Sequence, residues 1–250
     1  MPIRTVLVAL AFVQLAPGQS GQEKMKVIEQ LVRTHVSWEP AANSGGLSVT
    51  LVETARNGDE FVYGLRATGT RPGALYQLYQ WPVTKSGPVL SLDGVTFDET
   101  GLGICTGQPH HCGNAQQGTQ ALAIRMSPVM GEPMRIALAD PKKGGRAYFQ
   151  VTPIPIVAAD KGCQLEATLI SPHGAILYVH GSGFPANKKL IITSNSEGES
   201  LNRPAVATPS GEYRTMVLPG VVGKTSGVVK YTVSDGECSP TIESRWANEE

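Results

Sequence analysis

The sequence predicts an all-β protein built from two tandem β-sandwich domains, and three observations support this prediction. The chain has 250 residues, which fits two domains of ordinary size better than one small core. It contains 28 glycines and 18 prolines but only 17% charged residues, a composition typical of many short turns between strands. Short segments of strand-like composition, several with period-two alternation, recur along residues 47–246.

Residues 1–20 have the features of a secretory signal peptide. Arg4 supplies a positive charge, residues 5–16 form an apolar run, and Gly18 and Ser20 offer small residues for cleavage. The run is shorter than a membrane-spanning helix requires, and no later apolar run reaches that length. We therefore expect a secreted or periplasmic protein whose mature chain has no transmembrane span.

Residues 21–46 are predicted to form a leader before the first domain. Within residues 22–36, apolar side chains recur at helical spacing, which favours a short amphipathic helix, with a flexible leader as the alternative. Pro40 and the small residues after it end this pattern before the first strand.

Residues 47–157 are predicted to form the first β-sandwich domain. Alternating apolar residues lie on both sides of the turn Asn57-Gly58-Asp59, which predicts a hairpin. Five further strands are expected at residues 74–81, 88–97, 120–126, 134–139 and 146–152. The prolines within residues 152–162 favour an edge segment that runs into a short linker, so we place the domain boundary there.

Residues 158–250 are predicted to form the second domain. Seven candidate strands fall within about 85 residues, which is the size of an immunoglobulin-like sandwich. They lie at residues 164–170, 175–180, 188–194, 203–207, 212–218, 227–234 and 240–246.

The turn between the second and third of these strands resembles a known group of domains. Residues 181–187 read GSGFPAN and lie between two apolar runs. This segment resembles the immunoglobulin-like modules of bacterial exported proteins, the group that includes the TIG-type domains. The matching residues are Gly181, Gly183, Phe184, Pro185 and Asn187. The resemblance covers about residues 163–246 and implies a fold without implying a site. The two-domain layout is also similar to uncharacterised secreted proteins of soil bacteria, which implies no activity.

The chain contains four cysteines, and an even number in an exported protein favours disulfides. Three connectivities are open. We favour Cys105 with Cys112, which flank one loop, and Cys163 with Cys238, which lie at the two ends of the second domain. In the chain-entropy model the longer loop contributes about 4 kcal/mol to stability and the shorter loop about 2.5 kcal/mol.

The loop from Cys105 to Cys112 is also the strongest candidate for a metal site. His110 and His111 lie beside the two thiols, and sulfur together with imidazole suits zinc or copper. However, adjacent histidines point in different directions and no second pair of ligands follows, so a disulfide-closed loop is the preferred interpretation. We therefore predict no metal and no cofactor.

Three acidic residues, Asp93, Asp98 and Glu99, lie around the turn at residues 94–100 and are candidate calcium ligands. They lack the alternate-position spacing of a calcium loop, and we expect them to be solvated turn acids. His173 and His180 are single histidines next to turns, and a surface position explains them without a ligand.

Three aromatic residues, Tyr76, Tyr79 and Trp81, are the candidates for a sugar-binding face. Strand alternation sends Tyr79 and Trp81 to one side and Tyr76 to the other. At least one of these sets therefore belongs in the core.

The charge balance argues against nucleic acid as a partner. The 21 basic and 21 acidic residues cancel, and no basic cluster stands out. We predict a non-enzymatic, exported binding or scaffold protein, without catalytic residues, whose partner is a protein or glycan at the cell surface. Two alternatives stay open: a metal-binding or accessory enzyme that uses the Cys105 to Cys112 loop with a carboxylate such as Asp98, and a carbohydrate-binding module.

Overall fold

A computed structural model describes residues 38, 42–85, 87–105 and 121–247. The described residues form sixteen β-strands in four antiparallel sheets, with a short 3-10 helix at Pro172–Gly174 and no α-helix. The all-β prediction is therefore confirmed. Among these residues, none belongs to a helix long and apolar enough to cross a membrane. Residues 1–37, with the predicted signal peptide and leader helix, lie outside the described residues, and both features stay predictions.

The first eight strands form two sheets. They are β1 (Ser48–Asn57), β2 (Glu60–Thr68), β3 (Tyr76–Gln80), β4 (Val89–Phe97), β5 (Gly103–Cys105), β6 (Ala123–Met126), β7 (Met134–Ala139) and β8 (Arg146–Val151). One sheet has three strands in the order β1-β2-β6, and the other has five in the order β5-β4-β3-β7-β8.

Strands β1 and β2 form the predicted hairpin. Asn57 pairs with Glu60 across the turn, where Gly58 has a φ of +61° that glycine adopts without strain. Val49 and Leu65 are 3% and 0% exposed, so the alternating face points into the core as expected.

The other eight strands form two four-stranded sheets. They are β9 (Ile156–Asp160), β10 (Cys163–Leu169), β11 (Leu177–Ser182), β12 (Lys189–Ser196), β13 (Glu199–Val206), β14 (Tyr213–Val217), β15 (Ser226–Ser234) and β16 (Thr241–Ala247). Their orders are β14-β11-β10-β9 and β13-β12-β15-β16. Each of the seven strands predicted within residues 164–246 overlaps one strand of β10 to β16.

Apolar side chains from facing sheets meet in two buried clusters. The first core joins the sheets of β1 to β8 and includes Leu65 and Ile136. The second core joins the sheets of β9 to β16 and includes Leu165 and Val233. Two sheets that share one apolar layer have the arrangement of a β-sandwich. The assignment of two domains, with a boundary at residues 157 and 158, stays a prediction.

Two strands, β5 and β9, were not predicted. Strand β9 pairs with β10 through the turn Lys161-Gly162, and it is an edge strand, as expected for this proline-flanked segment. However, Pro153 and Pro155 precede β9 instead of interrupting it, so the segment continues as a strand where we expected a linker. The predicted boundary therefore falls inside a strand.

The glycine-rich turn GSGFPAN places Phe184 in the second core, where it is 4% exposed. A Cβ atom at Gly181 would lie 2.8 Å from Cε2 of Phe184, so the missing side chain leaves room for this ring. Gly183 has a φ of +80° and packs against the backbone of Gly162, where any side chain would collide. Steric constraints therefore explain why glycine occupies both positions.

Part of the predicted leader belongs to the first sandwich. Ser44 forms a β-bridge with Arg146, and Oδ1 of Asn43 accepts a hydrogen bond of 2.7 Å from the backbone N–H of Tyr148. These contacts cover the outer edge of β8, which would otherwise leave backbone groups unpaired. The alternation pattern could not indicate this contact because it spans about one hundred residues of sequence.

Candidate functional site

Cys163 and Cys238 form the predicted disulfide. Their Cα atoms lie 6.2 Å apart, and the two residues are 3% and 2% exposed. The bond joins the start of β10 to the loop between β15 and β16. This pairing is confirmed. It restrains the two sheets of the second sandwich against each other.

The second predicted pairing is not tested by the structure. The backbone of Cys105 ends β5, whereas Cys112, His110 and His111 lie outside the described residues. The disulfide-closed loop and its metal-binding alternative both stay predictions.

Asp98 acts as a turn residue. Its Oδ1 atom accepts hydrogen bonds from the hydroxyl of Thr100 at 2.8 Å and from the backbone N–H groups of Thr100 and Leu102 at 2.9 Å each. These bonds, with that of the Thr100 hydroxyl the largest contribution, lower the pKa of Asp98 below its ordinary value. The carboxylate is thus used by its own turn, as the sequence indicated.

Within the described residues, one group of three potential metal ligands has its atoms within 4.8 Å of one another. It consists of Cys163, Asp235 and Cys238. The two sulfurs are bonded to each other, and the pKa of Asp235 is lowered chiefly by backbone N–H groups of Cys238 and Glu237. These residues therefore form a disulfide beside a turn acid.

The aromatic residues around β3 do not form an exposed sugar-binding face. Tyr76 is 0% exposed and its ring lies 5.6 Å from that of Phe97 in the first core. Trp81 is 3% exposed, and half-buried Tyr79 donates its hydroxyl proton to Oε1 of Gln77 at 3.0 Å. The expectation that at least one side of this strand faces the core is confirmed by Tyr76. Because Trp81 is also buried, it cannot form a flat sugar-binding face with Tyr79.

Of the two histidines singled out from the sequence, His173 is exposed and His180 is half-buried. His173 occupies the 3-10 helix with a φ of +56°. Nε2 of His180 lies 3.8 Å from Oε1 of Glu212, which also pairs with Arg214 at 2.9 Å. These contacts place His180 beside the ion pair of Arg214 and Glu212, with its Nε2 atom shielded from solvent.

Burial of Trp81 reflects an aromatic cluster that the sequence did not reveal. The ring of Trp38 meets those of Trp81 and Tyr148 edge-on, with centroid distances of 5.2 and 5.0 Å. The indole N–H of Trp38 donates to the carbonyl oxygen of Ile136 at 2.7 Å, and that of Trp81 donates to Lys85 at 2.9 Å. Trp38 thus anchors the residues before β1 on the five-stranded sheet.

A buried arginine lies next to this cluster. Arg135 is 1% exposed, and its guanidinium carbon lies 5.8 Å from the centre of the Trp81 ring. Its Nε–H donates to Oε1 of Gln150 at 3.0 Å. Burial lowers the pKa of Arg135 to about 10, although the charge of Glu132 acts in the opposite direction. The side chain remains cationic at neutral pH, and a buried cation of this kind marks a candidate site.

Arg135 and Trp81 line a cavity of about 190 Å³. Among the described residues, its apolar wall includes Met126, Met134 and three prolines, and the ionisable residues that line it are Arg135 and Glu132. The three prolines are Pro82, Pro128 and Pro133, and Gln80 and Ser127 are polar lining residues. The cavity therefore combines an apolar surface with a buried positive charge.

The loops that form this cavity also contact the second sandwich. The N–H of Gly131 donates to the carbonyl oxygen of Ile154 at 2.7 Å, and the N–H of Leu169 donates to that of Gly131 at 2.9 Å. A Cβ atom at Gly131 would lie 2.6 Å from Cδ1 of Ile156. Val83, which follows Trp81 and Pro82, is 6% exposed and belongs to the second core. The cavity thus lies where the two sandwiches meet.

One of these residues carried a signal in the sequence. Arg135 is the single charge in the apolar strand MRIALA, and an arginine flanked on both sides by apolar residues is unusual enough to single it out. Nothing local distinguished Trp38, because its hydrogen bond to Ile136 joins segments 98 residues apart.

No family model matches the chain. A search of curated proteins also finds no significant match. Among solved structures, the chain is similar to the tetra-tandem repeat in the extending region of a large adhesion protein. The identity is 13%, the match covers 83% of this chain and 49% of the other, and the TM-score is 0.25. The chain thus spans about half the length of that structure, and a likeness this low supports no inference about function.

Proposed function

We propose that the protein is a non-enzymatic, exported binding or scaffold protein made of immunoglobulin-like sandwiches of the TIG type. The observation that carries this proposal is the junction of the two sandwiches. Gly131 is hydrogen-bonded to both Ile154 and Leu169, and Val83 enters the second core. A junction tied by buried contacts favours a rigid body that presents its surface in a fixed arrangement.

The hydrogen bonds of three aspartates support a structural role for these carboxylates. Asp98, Asp140 and Asp235 each accept backbone N–H groups within their own turns. The pKa of each is lowered: the side-chain hydrogen bond from Thr100 contributes most at Asp98 and that from Arg71 most at Asp140, with backbone N–H groups adding to both, whereas backbone N–H groups contribute most at Asp235. Carboxylates held in turns stabilise loops, and loops on a rigid scaffold are the usual place for binding surfaces.

Export is supported by the cysteine chemistry. A buried disulfide between Cys163 and Cys238 is typical of proteins that fold in an oxidising compartment. It agrees with the signal-like composition of residues 1–20. Expression of residues 1–250 and 21–250 in a bacterial host tests this step: only the longer chain should reach the periplasm. Equal cytoplasmic retention of both would contradict export.

Binding is tested with fluorescently labelled chain 21–250 incubated with intact bacterial cells and, separately, with insoluble polysaccharides. The proposal expects saturable depletion from the supernatant, since surface sites are finite in number. The same chain unfolded by heat and reduction serves as the control. Retention that never saturates, or none on any surface, would contradict a binding role.

Rigidity is tested with spin labels at Asp59, in the exposed turn after β1, and at Glu199, the exposed first residue of β13 in the other sandwich. A scaffold predicts a narrow distance distribution between the labels. Val83→Ser removes the apolar contact of one junction loop and should broaden the distribution. Val222→Ser, which changes the same residue type at a position that is 97% exposed, is the matched control. A broad distribution in the unmodified chain would contradict the scaffold role.

The metal-binding alternative depends on the loop from Cys105 to Cys112. A thiol count with metal analysis on exported protein separates the two functions. Free thiols with bound metal would favour the alternative, whereas two disulfides without metal favour the scaffold.

A further inference from the structure

We propose that residues 22–36 form an amphipathic helix that packs on the outer face of the five-stranded sheet, the side turned away from the first core. These residues lie outside the described part of the chain, whereas the sheet that would receive them belongs to it. The inference goes beyond the proposed function, because it assigns one surface of the protein to its own chain and removes that surface from those open to a partner.

The position of Trp38 is the first argument. Tyr148 lies in β8 between Ala147 and Phe149, which both pack in the first core, so its side chain points to the outer face. The ring of Trp38 meets that of Tyr148 edge-on at a centroid distance of 5.0 Å. Trp38 therefore lies on the outer face, and the chain before it starts from there.

The course of the chain after Trp38 is the second argument. Asn43 and Ser44 contact the edge strand β8, and Leu47 is buried in the first core. Residues 42–47 thus pass around the sheet at the edge formed by β8. The outer face that is open to the segment before Trp38 therefore lies on the other side, over β7, β3 and β4.

The exposed leucines of this face are the third argument. Leu90 pairs with Tyr79, which follows the core residue Leu78 in β3, so both Leu90 and Tyr79 point outward. Leu75 directly precedes Tyr76, whose side chain is 0% exposed in the core, and it points outward for the same reason. Leu90 and Leu75 are 49% and 51% exposed. The described residues thus leave an apolar surface uncovered next to Trp38.

The pattern of residues 22–36 complements this surface. Its apolar side chains recur at helical spacing on one side of the predicted helix, and polar side chains occupy the other side. The apolar residues are Met25, Ile28, Val32 and Val36, and those on the opposite side include Lys26, Gln30 and Arg33. An isolated helix of this length is marginal in water, so the apolar side needs a surface to pack against.

The length of the segment fits the distance that it has to cover. A helix over residues 22–36 is about 22 Å long. Three strand spacings separate β8 from β4, which corresponds to about 14 Å. A helix that ends beside Trp38 therefore reaches Leu90.

Amide hydrogen exchange of chain 21–250, followed by NMR, tests the proposal against a peptide of residues 21–37. Residues 26–36 would donate the N–H groups bonded within the helix. We expect these amides to exchange at least about tenfold more slowly in the chain than in the peptide, because only the chain offers the sheet. Cross-peaks between the methyl groups of Leu90 and those of Ile28 or Val32 should accompany the protection.

Two pairs of variants test the two surfaces. Ile28→Asp places a charge on the apolar side of the helix and should remove the protection, whereas Gln30→Asp introduces the same residue on the opposite side and should keep it. Leu90→Asp changes the sheet and should also remove the protection. Leu201→Asp, at a leucine that is 57% exposed in β13, is the matched control and should keep it. Both leucines are exposed, so neither change disturbs a core.

Equal exchange in chain and peptide, equal effects of Ile28→Asp and Gln30→Asp, or full protection in Leu90→Asp would overturn the proposal. Protection that is lost on dilution would also overturn it, because the helix would then pack on a second copy of the chain. Retention on cells is measured separately, so a chain that binds cells without protecting residues 26–36 would reject the helix packing alone.

Discussion

Nη2 of Arg71 lies 2.7 Å from Oδ2 of Asp140, and this ion pair ties the loop after β2 to the loop after β7. The other oxygen of Asp140 accepts the N–H groups of Lys142 and Lys143 at 2.9 and 3.0 Å. The backbone N–H of Arg71 donates to the hydroxyl of Tyr76 at 2.8 Å. One buried carboxylate thus organises two loops at one end of the five-stranded sheet.

This arrangement predicts a pH dependence of stability. The hydrogen bond from Arg71 is the largest of the contacts that lower the pKa of Asp140. Because the pKa of Asp140 is lower in the folded than in the unfolded chain, the ionised carboxylate stabilises the fold. This stabilisation is complete above the unfolded-state pKa of about 3.9 and is lost as pH falls through the folded-state pKa. We expect the free energy of unfolding, measured by urea denaturation, to decrease below about pH 4.

Asp140→Asn should flatten this decrease and lower the stability at neutral pH, since it removes the charge but keeps an acceptor for Lys142 and Lys143. Asp59→Asn, in the exposed turn of the first hairpin, is the matched control for loss of one carboxylate. An unchanged acid slope in Asp140→Asn would contradict the assignment.

The disulfide predicts a second stability effect. Cys163 and Cys238 are 75 residues apart, and closing a loop of this length restrains the unfolded chain by about 4 kcal/mol in the chain-entropy model. The double variant with serine at both positions should lose about this much in urea denaturation. Adding a thiol reductant should destabilise the unmodified chain by about 4 kcal/mol more than it destabilises the variant, because the variant can lose only the predicted bond between Cys105 and Cys112. If the reduced chain kept its full stability, the bond would have no such role.

Trp38 predicts that residues before the first strand stabilise the fold. Trp38→Ala removes two ring contacts and a hydrogen bond, and we expect a loss of about 2 kcal/mol for this half-buried side chain. Trp38→Phe keeps an aromatic ring and loses the N–H, so about 1 kcal/mol should be lost. Chemical denaturation followed by circular dichroism measures both. Equal stability of all three chains would show that Trp38 does not anchor this segment.

Pro204 predicts resistance to self-association. It lies in β13, an edge strand of its sheet, opposite Ile191, which is 62% exposed. Proline has no N–H to donate to an incoming strand, and this protects an apolar edge. Pro204→Val should shift the sedimentation profile toward dimers and larger species. Asn202→Val, which adds strand propensity to β13 but keeps the proline, is the control. Identical profiles for both variants would contradict a protective role of Pro204.

Local patterns predicted much of the fold. Alternation and the turn Asn57-Gly58-Asp59 predicted the hairpin, and the spacing of turns predicted the strands from β10 to β16. The pairing of Cys163 with Cys238 followed from their positions at the ends of one module. These features depend on residues close in sequence or on simple counting, which is the information that a pattern contains.

The candidate site was not predicted because it depends on contacts between distant segments. Trp38 meets the carbonyl of Ile136 across 98 positions, and no periodicity records that contact. Strand β9 was missed because its prolines suggested a linker, although they only precede the strand. The cavity could not be predicted either, because its wall combines residues from β3, β6 and β7, which are distant in sequence.

The position of Val83 has a consequence for the history of the gene. This residue completes the interior of the later half of the chain from a loop that belongs to the earlier half. A recombination event that copied only the later half would leave a cavity in its core, and this cavity would lower its stability. The two halves are therefore expected to be inherited as a pair, in contrast to freely shuffled modules that are complete by themselves.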